Sequence, residues 1–341
     1  MKKQTGTDSK NGWGLVGTGR IAEDRVLPGI NAHAGNRLIG VVSRDQGRAD
    51  TFAKKFGAEH AYTSYGDLLL NPDVTVVAIH TPNAQHAGQA IAAARAGKHV
   101  FCDKPMATSV ADAERIVREC EKAGVKLGVN FHNRFMPCFI ETRRLIASGE
   151  IGAVQLIQLE ASPGARPGGR LGTWRVDAAV AGLGTTNSIG VHVYDILRYL
   201  LASEITMVSA LFDTPRGVME GTNLSTFRFA NGVLAQLSVH ENTPFPHNDF
   251  VVYGAKGRII GRGLTRSRAG GELQVTTADG KTRSTEFPAI NAHAAAVAAF
   301  SDALLEGRDP VPSGIDGLRS VQLTDAMARS AGDGVHVRLA Y

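Results

Sequence analysis

A glycine-rich turn near the amino terminus constrains the fold of this chain more than any other feature. The segment Gly17 to Ala22 fits the spacing GxGxxA, directly follows an apolar run, Trp13 to Gly17, and opens a helical pattern. In that context Gly17 permits a tight turn, Gly19 lets the backbone approach a pyrophosphate, and Ala22 allows close helix packing. An ordinary glycine turn is the alternative. We expect a dinucleotide-binding βαβ unit whose helix amino terminus faces the phosphates.

Short apolar runs alternate with helical patterns over the first 130 residues. This alternation is typical of repeated βαβ units that build a parallel sheet. The runs 38–42 and 74–79 are apolar on both faces, as expected for strands covered by helices on either side. The predicted strands are Trp13–Gly17, Arg37–Ser43, Val74–His80, His99–Cys102 and Lys126–Asn130, with a helix at Ser109–Lys122.

The pattern changes after about residue 130 to segments that alternate apolar and polar residues. They predict a largely antiparallel sheet with one face in water, interrupted by one helix at Thr185–Leu201. Because 341 residues exceed the usual size of one core, we predict an α/β fold with two domains, 1–129 and 130–341. The alternating segments are Val154–Ala161, Thr206–Phe212, Asn223–Phe229 and Val233–His240, and further helices are predicted at Pro137–Ser148, Asn291–Glu306 and Asp316–Ser330.

Charge and cysteine content exclude several classes of protein. The formal charge of +5 comes from scattered basic residues, which does not indicate a nucleic-acid partner. Cys102, Cys120 and Cys138 form no CxxC pair, and the histidines form no ligand cluster, so we expect neither disulfides nor a metal. No run is apolar enough for a signal peptide or a membrane span. We expect a cytoplasmic protein without a membrane partner.

The end of the second predicted strand bears on the choice of cofactor. Ser43 stands where an NAD site normally has an acid, and Arg44 follows it. An arginine pairs with a 2′-phosphate, so NADP is favoured over NAD, although Asp45 is near and Arg44 is alternatively a solvated surface charge.

Two loops follow the next strands, and ligands bind at that edge of open α/β sheets. The first is Thr81-Pro82-Asn83 with His86, and the second is Asp103-Lys104-Pro105. A partly buried lysine beside a cationic nicotinamide can bind a substrate oxygen and transfer its proton, so Lys104 is the main catalytic candidate. A solvated lysine in a turn is the alternative. The cofactor-binding candidates are Gly17, Thr18, Gly19, Arg20, Ile21, Ser43, Arg44, Thr81, Pro82, Asn83, His86, Asp103 and Lys104.

A second candidate group lies on the predicted helix of the second domain. Ser188, His192 and Asp195 share one helical face, and Gly190 leaves room for a neighbour. His192 can donate or accept a proton near neutral pH, with Asp195 fixing its tautomer. A histidine buried in a domain interface is the alternative. Arg166, Arg170 and Arg175 surround a glycine-rich stretch and are candidates for contact with an acidic substrate, or else solvated.

Together these residues resemble the glucose-fructose oxidoreductase/inositol dehydrogenase/MocA family over nearly the whole chain. The marks are the GxGxxA turn, Thr81-Pro82-Asn83 with His86, Ala96 to Val100 leading to Asp103-Lys104-Pro105, and Gly190-Val191-His192 with Asp195. Asn133-Arg134-Phe135 with Pro137, and Trp174-Arg175, also match family positions.

The resemblance implies an amino-terminal Rossmann domain and a carboxy-terminal α/β domain. The open sheet of the second domain is expected to join subunits into a homodimer or homotetramer. The resemblance also implies hydride transfer between NAD(P) and a secondary alcohol or ketone of a cyclic sugar, sugar derivative or inositol, with Lys104 and His192 catalytic and the Lys104-Pro105 bond cis. The substrate-binding candidates are Lys104, Asn130, Arg134, Trp174, Arg175, Ser188, His192 and Asp195.

Two positions depart from the family pattern, because Asp103 replaces a glutamate and Ser188 replaces an aspartate. A serine carries no negative charge at neutral pH, so three other functions stay open. They are a non-catalytic NAD(P)-binding sensor, redox-neutral NAD-dependent glycoside cleavage, and oxidation of a carboxylated hydroxy compound or a dihydrodiol.

Overall fold

The computed structural model describes residues 10–164, 173–214, 219–241, 243–263 and 270–341. The chain divides into two compact units. The first comprises residues 1–107, 111–130 and 293–318, and the second comprises 108–110, 131–292 and 319–341. The predicted division at residue 129/130 differs from this arrangement mainly because residues 293–318 return to the amino-terminal unit; in addition, residues 108–110 group with the second unit and residue 130 with the first. Residues 293–318 join the amino-terminal unit because their apolar side chains pack in its core.

The first unit is built on a six-stranded parallel sheet with the strand order β3-β2-β1-β4-β5-β6. This is the order of a Rossmann fold, and it confirms the predicted fold class for this part of the chain. The strands are β1 Asn11–Val16, β2 Asn36–Val42, β3 His60–Tyr62, β4 Val76–Ile79, β5 His99–Cys102 and β6 Leu127–Val129. The helices are α1 Leu27–Ala32, α2 Gln46–Phe56, α3 Tyr65–Leu70, α4 His86–Arg95 and α5 Val110–Ala123.

An aromatic cluster forms part of the core of this unit. Trp13 of β1 is fully buried, and its ring centroid lies 5.8 Å from Phe101 and 5.9 Å from Phe300, both in edge-to-face arrangements. Phe300 belongs to α9 Ala292–Leu305. A side chain at Gly128 of β6 would collide with Phe300, since an added Cβ would lie 2.5 Å from that ring. The small residue is therefore required for α9 to approach the sheet.

The second unit is built on a nine-stranded, mostly antiparallel sheet. Its order is β14-β13-β12-β11-β7-β10-β9-β8-β15, and β7 and β10 form a parallel pair. The strands are β7 Val154–Ala161, β8 Ile205–Phe212, β9 Thr222–Phe229, β10 Leu234–His240, β11 Phe250–Gly254, β12 Gly257–Arg262, β13 Gly271–Thr277, β14 Thr282–Phe287 and β15 Val337–Arg338. The helices are α6 Pro137–Ala147, α7 Ala178–Ala181, α8 Val191–Leu201 and α10 Gly314–Asp333, which belongs to this unit from residue 319 onwards.

Helices cover one face of this sheet. Phe139 of α6 stacks on Phe250 of β11 with ring centroids 5.4 Å apart. Tyr194 of α8 is fully buried, and its hydroxyl lies 2.5 Å from that of Thr324 on α10. The strands consequently alternate, with Ile157 buried and Gln158 exposed on β7. This confirms the predicted sheet with one face in water.

The strands β11 to β14 were not identified from the sequence. β14 is exposed along most of its length and carries no apolar alternation, so periodicity gives no signal for it. Within the described residues, no helix is long and apolar enough to cross a membrane.

Candidate active site

The turn after β1 has the geometry that a dinucleotide requires. Gly17 has a φ of +101°, and an added Cβ would lie 2.5 Å from the carbonyl oxygen of His80. Only glycine fits there. An added Cβ at Gly19 would meet no atom within 4 Å, so the backbone is open on that side. The main-chain N–H of Glu23 donates to the carbonyl of Gly19 at 3.0 Å, and a π-helical turn at Ala22–Val26 continues into α1.

These observations fit a bound dinucleotide diphosphate. The open side of Gly19 leaves room for phosphate oxygens, and the first N–H groups of the helical segment supply donors and a partial positive charge. Arg20 is 83% exposed and lies 3.9 Å from Asp24, while Ile21 precedes the π-helical turn.

The polar residues around the end of β2 form hydrogen bonds with the glycine turn and with α2. Thr18 donates from its hydroxyl to the hydroxyl of Ser43 at 3.1 Å, and both side chains are buried. Asp45 caps α2, because its Oδ1 accepts the N–H of Arg48 at 2.8 Å. The Asp45 carboxylate therefore already serves the helix, and Arg44 is exposed.

No pattern in the sequence marks Arg48 as a cofactor-binding residue. Its Nε donates to the hydroxyl of Thr18 at 2.9 Å and to the carbonyl of Thr18 at 3.1 Å. The guanidinium thus lies against the glycine turn and beside Ser43, where the adenosine ribose of a dinucleotide is expected. Its place one helical turn after Arg44 was the only signal in the sequence.

The loop after β4 is fastened to the loop after β5 by His86. The ring of His86 is buried, with Nδ1 2.8 Å from the carbonyl oxygen of Pro105 and Nε2 2.9 Å from that of Thr81. Burial lowers the pKa of His86 below its usual value, and the charge of Asp103 together with the two carbonyls opposes this only in part. His86 therefore lies between the two loops, and its neutral ring donates a hydrogen bond to one of the two carbonyls.

Other residues of the first loop are also engaged. The hydroxyl of Thr81 donates to Oε1 of Gln89 at 2.6 Å. Pro82 precedes a 3₁₀ turn at Asn83–Gln85, and Asn83 is buried at its start. The loop is thus held by a hydrogen bond to α4 and by its 3₁₀ turn.

The motif after β5 presents Lys104 at the carboxyl edge of the sheet. The N–H of Asp103 donates to the carbonyl of Ile79 at 2.9 Å, and Oδ1 of Asp103 accepts the N–H of Lys104 at 2.9 Å. The Lys104-Pro105 peptide bond is cis, as the resemblance implied. Burial favours the neutral form of Asp103, but the nearby His80 and the charges of Lys104 and His293 outweigh it and hold its pKa below the usual range.

Asn130 lies at the end of β6 with its side chain fully buried. Its Nδ2 lies 3.0 Å from Nδ1 of His293, a contact within the first unit that the sequence did not indicate. A direct contact between Asn130 and a substrate stays a prediction.

His192 lies in the first turn of α8, after a π-helical turn at Thr186–Gly190. Ser188 belongs to the π-helical turn, so the regular helical spacing assumed for Ser188 and His192 is interrupted there. The hydroxyl of Ser188 is 3.4 Å from the carbonyl of Thr185. His132 packs edge-on against His192 with ring centroids 4.5 Å apart, and no sequence pattern had marked this second histidine.

Asp195 is held by an arginine within the second unit. Nε of Arg134 donates to Oδ2 at 2.8 Å and Nη2 donates to Oδ1 at 2.5 Å, and both side chains are almost fully buried. Arg198 lies 3.7 Å from Oδ1 and also binds Glu204. The sequence marked Arg134 and Asp195 as substrate-binding candidates but did not indicate that they pair with each other. The pairing follows from helix packing.

Glu220, another residue that the sequence did not indicate, fixes the start of the helical segment that carries His192. Its Oε2 accepts the N–H of Gly184 at 2.9 Å and its Oε1 accepts that of Thr186 at 2.7 Å. Trp174 and Arg175 form a 3₁₀ turn in which the guanidinium lies 4.4 Å from the indole centroid. Arg166 and Arg170 lie outside the described residues.

The parallel sheet and the glycine turn define a dinucleotide-binding protein. Residues 12–131 match the family model described as "Oxidoreductase family, NAD-binding Rossmann fold", and residues 139–260 match that of the "GFO/IDH/MocA C-terminal domain". The chain belongs to the glucose-fructose oxidoreductase/inositol dehydrogenase/MocA family, which confirms the resemblance. It is an NAD(P)-dependent dehydrogenase or reductase.

Named relatives and solved structures cover nearly the whole chain. The 1,5-anhydro-D-fructose reductase of Ensifer adhaerens is 33% identical over 95% of this chain and 97% of its own length. The inositol 2-dehydrogenase of Rhizobium meliloti (strain 1021) is 29% identical over 96% and 99%. The aldose-aldose oxidoreductase from Caulobacter crescentus, solved with glycerol, has a TM-score of 0.89 at 29% identity and covers 97% of this chain and 100% of that one.

Proposed function

We propose that this enzyme transfers a hydride between NADP(H) and a secondary alcohol or ketone of a small cyclic sugar, sugar derivative or inositol. The observation that carries the proposal is the position of Lys104. It follows β5 at the same edge of the parallel sheet as the glycine turn and the Thr81-Pro82-Asn83 loop. Ligands bind at this edge in open α/β sheets.

Each candidate residue has a task that suits its chemistry. The cofactor, when bound, accepts or supplies the hydride. Lys104 binds the substrate oxygen and transfers its proton, or stabilises the alkoxide. His192 is the second proton-transfer group, with His132 beside it fixing the orientation of its ring.

The preference for NADP rests on two arginines and on Ser43, which stands at the end of β2 where an NAD site normally has an acid. Asp45, which follows Arg44, uses its Oδ1 to cap α2. Arg48 lies against Thr18 beside Ser43, and Arg44 is exposed next to them. A guanidinium pair at this place suits a 2′-phosphate.

The arginine pair gives a measurable prediction. Arg48→Ala should raise the dissociation constant for NADP at least tenfold and leave that for NAD within about twofold, because only NADP carries the 2′-phosphate; tenfold corresponds to about 1.4 kcal/mol. Calorimetric titration of both cofactors measures the two constants. Arg37→Ala, an exposed arginine paired with Glu59, is the control. Equal losses for both cofactors would contradict the assignment.

The substrate class is tested by a panel of 1,5-anhydro-D-fructose, inositols, aldoses, hydroxy acids and dihydrodiols. Each compound is incubated with NADP or NAD in the matching redox state, and reduced nicotinamide is followed by absorbance. Turnover of a cyclic polyol or ketose supports the proposal. Turnover of hydroxy acids or dihydrodiols alone would overturn the substrate class, and cofactor binding without any turnover would favour a sensor or redox-neutral glycoside cleavage.

We also propose that the exposed face of the nine-stranded sheet joins subunits. Leu211, Leu224, Leu234 and Tyr253 lie on this face and are between 36% and 68% exposed. Leu211 pairs across the strands with Leu224, so their side chains are adjacent. Apolar residues this exposed on one face of a sheet favour association between copies, because water is then excluded from both surfaces.

Charging this face should dissociate the oligomer. Leu224→Lys should reduce the mass in sedimentation equilibrium to that of a monomer, because a buried, unpaired ammonium is costly. Leu70→Lys introduces the same charge at an exposed position in the first unit and should leave the mass unchanged. A wild-type chain that is already monomeric would refute the proposal.

A further inference from the structure

A buried imidazole lies directly behind the motif that contains Lys104. His80 follows β4, and its main-chain N–H donates to the carbonyl of Val16 at 2.9 Å. Its side chain is 2% exposed, and its ring centroid lies 6.4 Å from that of Phe101. Backbone and packing together therefore fix the ring at the carboxyl edge of the sheet.

Neither ring nitrogen of His80 makes a hydrogen bond of good geometry with the residues that the structure describes. Nδ1 lies 3.4 Å from Oδ2 of Asp103, a long polar contact through which the imidazole acts on the carboxylate. A buried polar group without a hydrogen bond costs about 1–3 kcal/mol. Packing alone does not account for a polar ring here, since an apolar ring of similar size would avoid that cost.

The carboxylate of Asp103 connects this ring to Lys104. Its Oδ1 accepts the main-chain N–H of Lys104 at 2.9 Å, while its Oδ2 faces His80. The two oxygens of a carboxylate move together, so a group that fixes one oxygen also fixes the other. Burial raises the pKa of the Asp103 carboxyl, whereas His80 and then the charge of Lys104 lower it.

We propose that His80 is a positioning residue for Lys104, which it orients by holding the carboxylate of Asp103. This inference rests on the proposed catalytic role of Lys104. With His80 in place, the carboxylate stays bound to the main chain of Lys104. Without it, the carboxylate can turn towards the ammonium group and hold it in the charged form.

The first test compares His80→Phe, which keeps a ring of similar size, with His80→Asn, which keeps a donor near the position of Nδ1. With the best substrate of the panel, His80→Phe should lower kcat about tenfold with KM for both substrates within about twofold. His80→Asn should recover most of kcat. Equal kcat in His80→Phe and the wild type would overturn the proposal. If His80→Phe does not fold, His80→Leu serves in its place.

A double-mutant cycle separates positioning from a general structural effect. If His80 acts through Asp103, the variant His80→Phe/Asp103→Asn should be no slower than Asp103→Asn alone, within about twofold. Independent effects would instead multiply the two losses, and that result would overturn the proposal.

A third measurement needs no substrate. The free enzyme is acetylated at pH 8 with N-hydroxysuccinimidyl acetate, and the rate at each lysine is obtained by peptide mass spectrometry. Lys104 in His80→Phe should react about threefold more slowly than in the wild type, because only the neutral amine reacts; Lys126 serves as the internal control. An unchanged rate at Lys104 would overturn the proposal. Full activity of Lys104→Ala would instead remove the proposed function, and the acetylation rate would still decide whether His80 acts on Lys104.

Discussion

The variant Lys104→Ala should lose about 10³-fold in kcat, while its dissociation constant for NADP stays within about threefold of the wild type. A positioned proton-transfer group contributes roughly 10²- to 10⁴-fold, and no other part of the Asp103-Lys104-Pro105 motif offers a titratable donor of comparable reach. The cofactor constant should change little, because the glycine turn and the arginines hold the nucleotide. Steady-state kinetics with the best substrate of the panel and calorimetry measure the two quantities.

Lys126→Ala is the control for this experiment. Lys126 belongs to the same unit and forms an ion pair with Asp309, so its loss tests the effect of removing one lysine charge. It should leave kcat within about twofold. A Lys104→Ala enzyme with more than a tenth of wild-type kcat would show that Lys104 does not transfer the proton.

Arg134→Met should lower the free energy of unfolding by about 3 kcal/mol. The substitution leaves the carboxylate of Asp195 buried without its bidentate partner, and such losses amount to roughly 3–5 kcal/mol. Arg198, at 3.7 Å, retains part of the interaction, which places the expected value at the lower end. Urea unfolding followed by circular dichroism measures the change.

Two further variants show whether the loss comes from the unpaired charge of Asp195. Arg144→Met removes an exposed arginine that pairs with Glu141 in the same unit, and it should cost at most about 1 kcal/mol. Arg134→Met/Asp195→Leu removes both charges and should recover most of the stability, because the cost comes from the unpaired charge. A double variant less stable than Arg134→Met would show that Asp195 has another essential contact.

Several features of this protein could be predicted from the sequence because their signals are local. The glycine turn requires particular residues at adjacent positions, and the runs 38–42 and 74–79, which contribute to β2 and β4, are apolar on both faces. The segment that forms α8 is strongly periodic, although the π-helical turn before it is not visible in periodicity. Local patterns thus gave the family and most of the elements, but not β11 to β14.

Contacts between distant residues could not be predicted in the same way. Arg48 contacts Thr18 30 residues away, Asn130 contacts His293, and Arg134 pairs with Asp195. Each pair depends on how elements pack, and no spacing along the chain encodes it.

The sequence by itself determined that this chain binds a dinucleotide, carries a lysine motif after its fifth strand and contains a second, largely antiparallel sheet. Only the tertiary structure decided that Asp45 caps α2 while Arg48 reaches Thr18, that residues 293–318 complete the first unit, and that His80 lies behind Asp103. The physical reason is that turns and periodic elements depend on neighbouring residues, whereas burial and pairing of charges depend on side chains that folding brings together from distant parts of the chain.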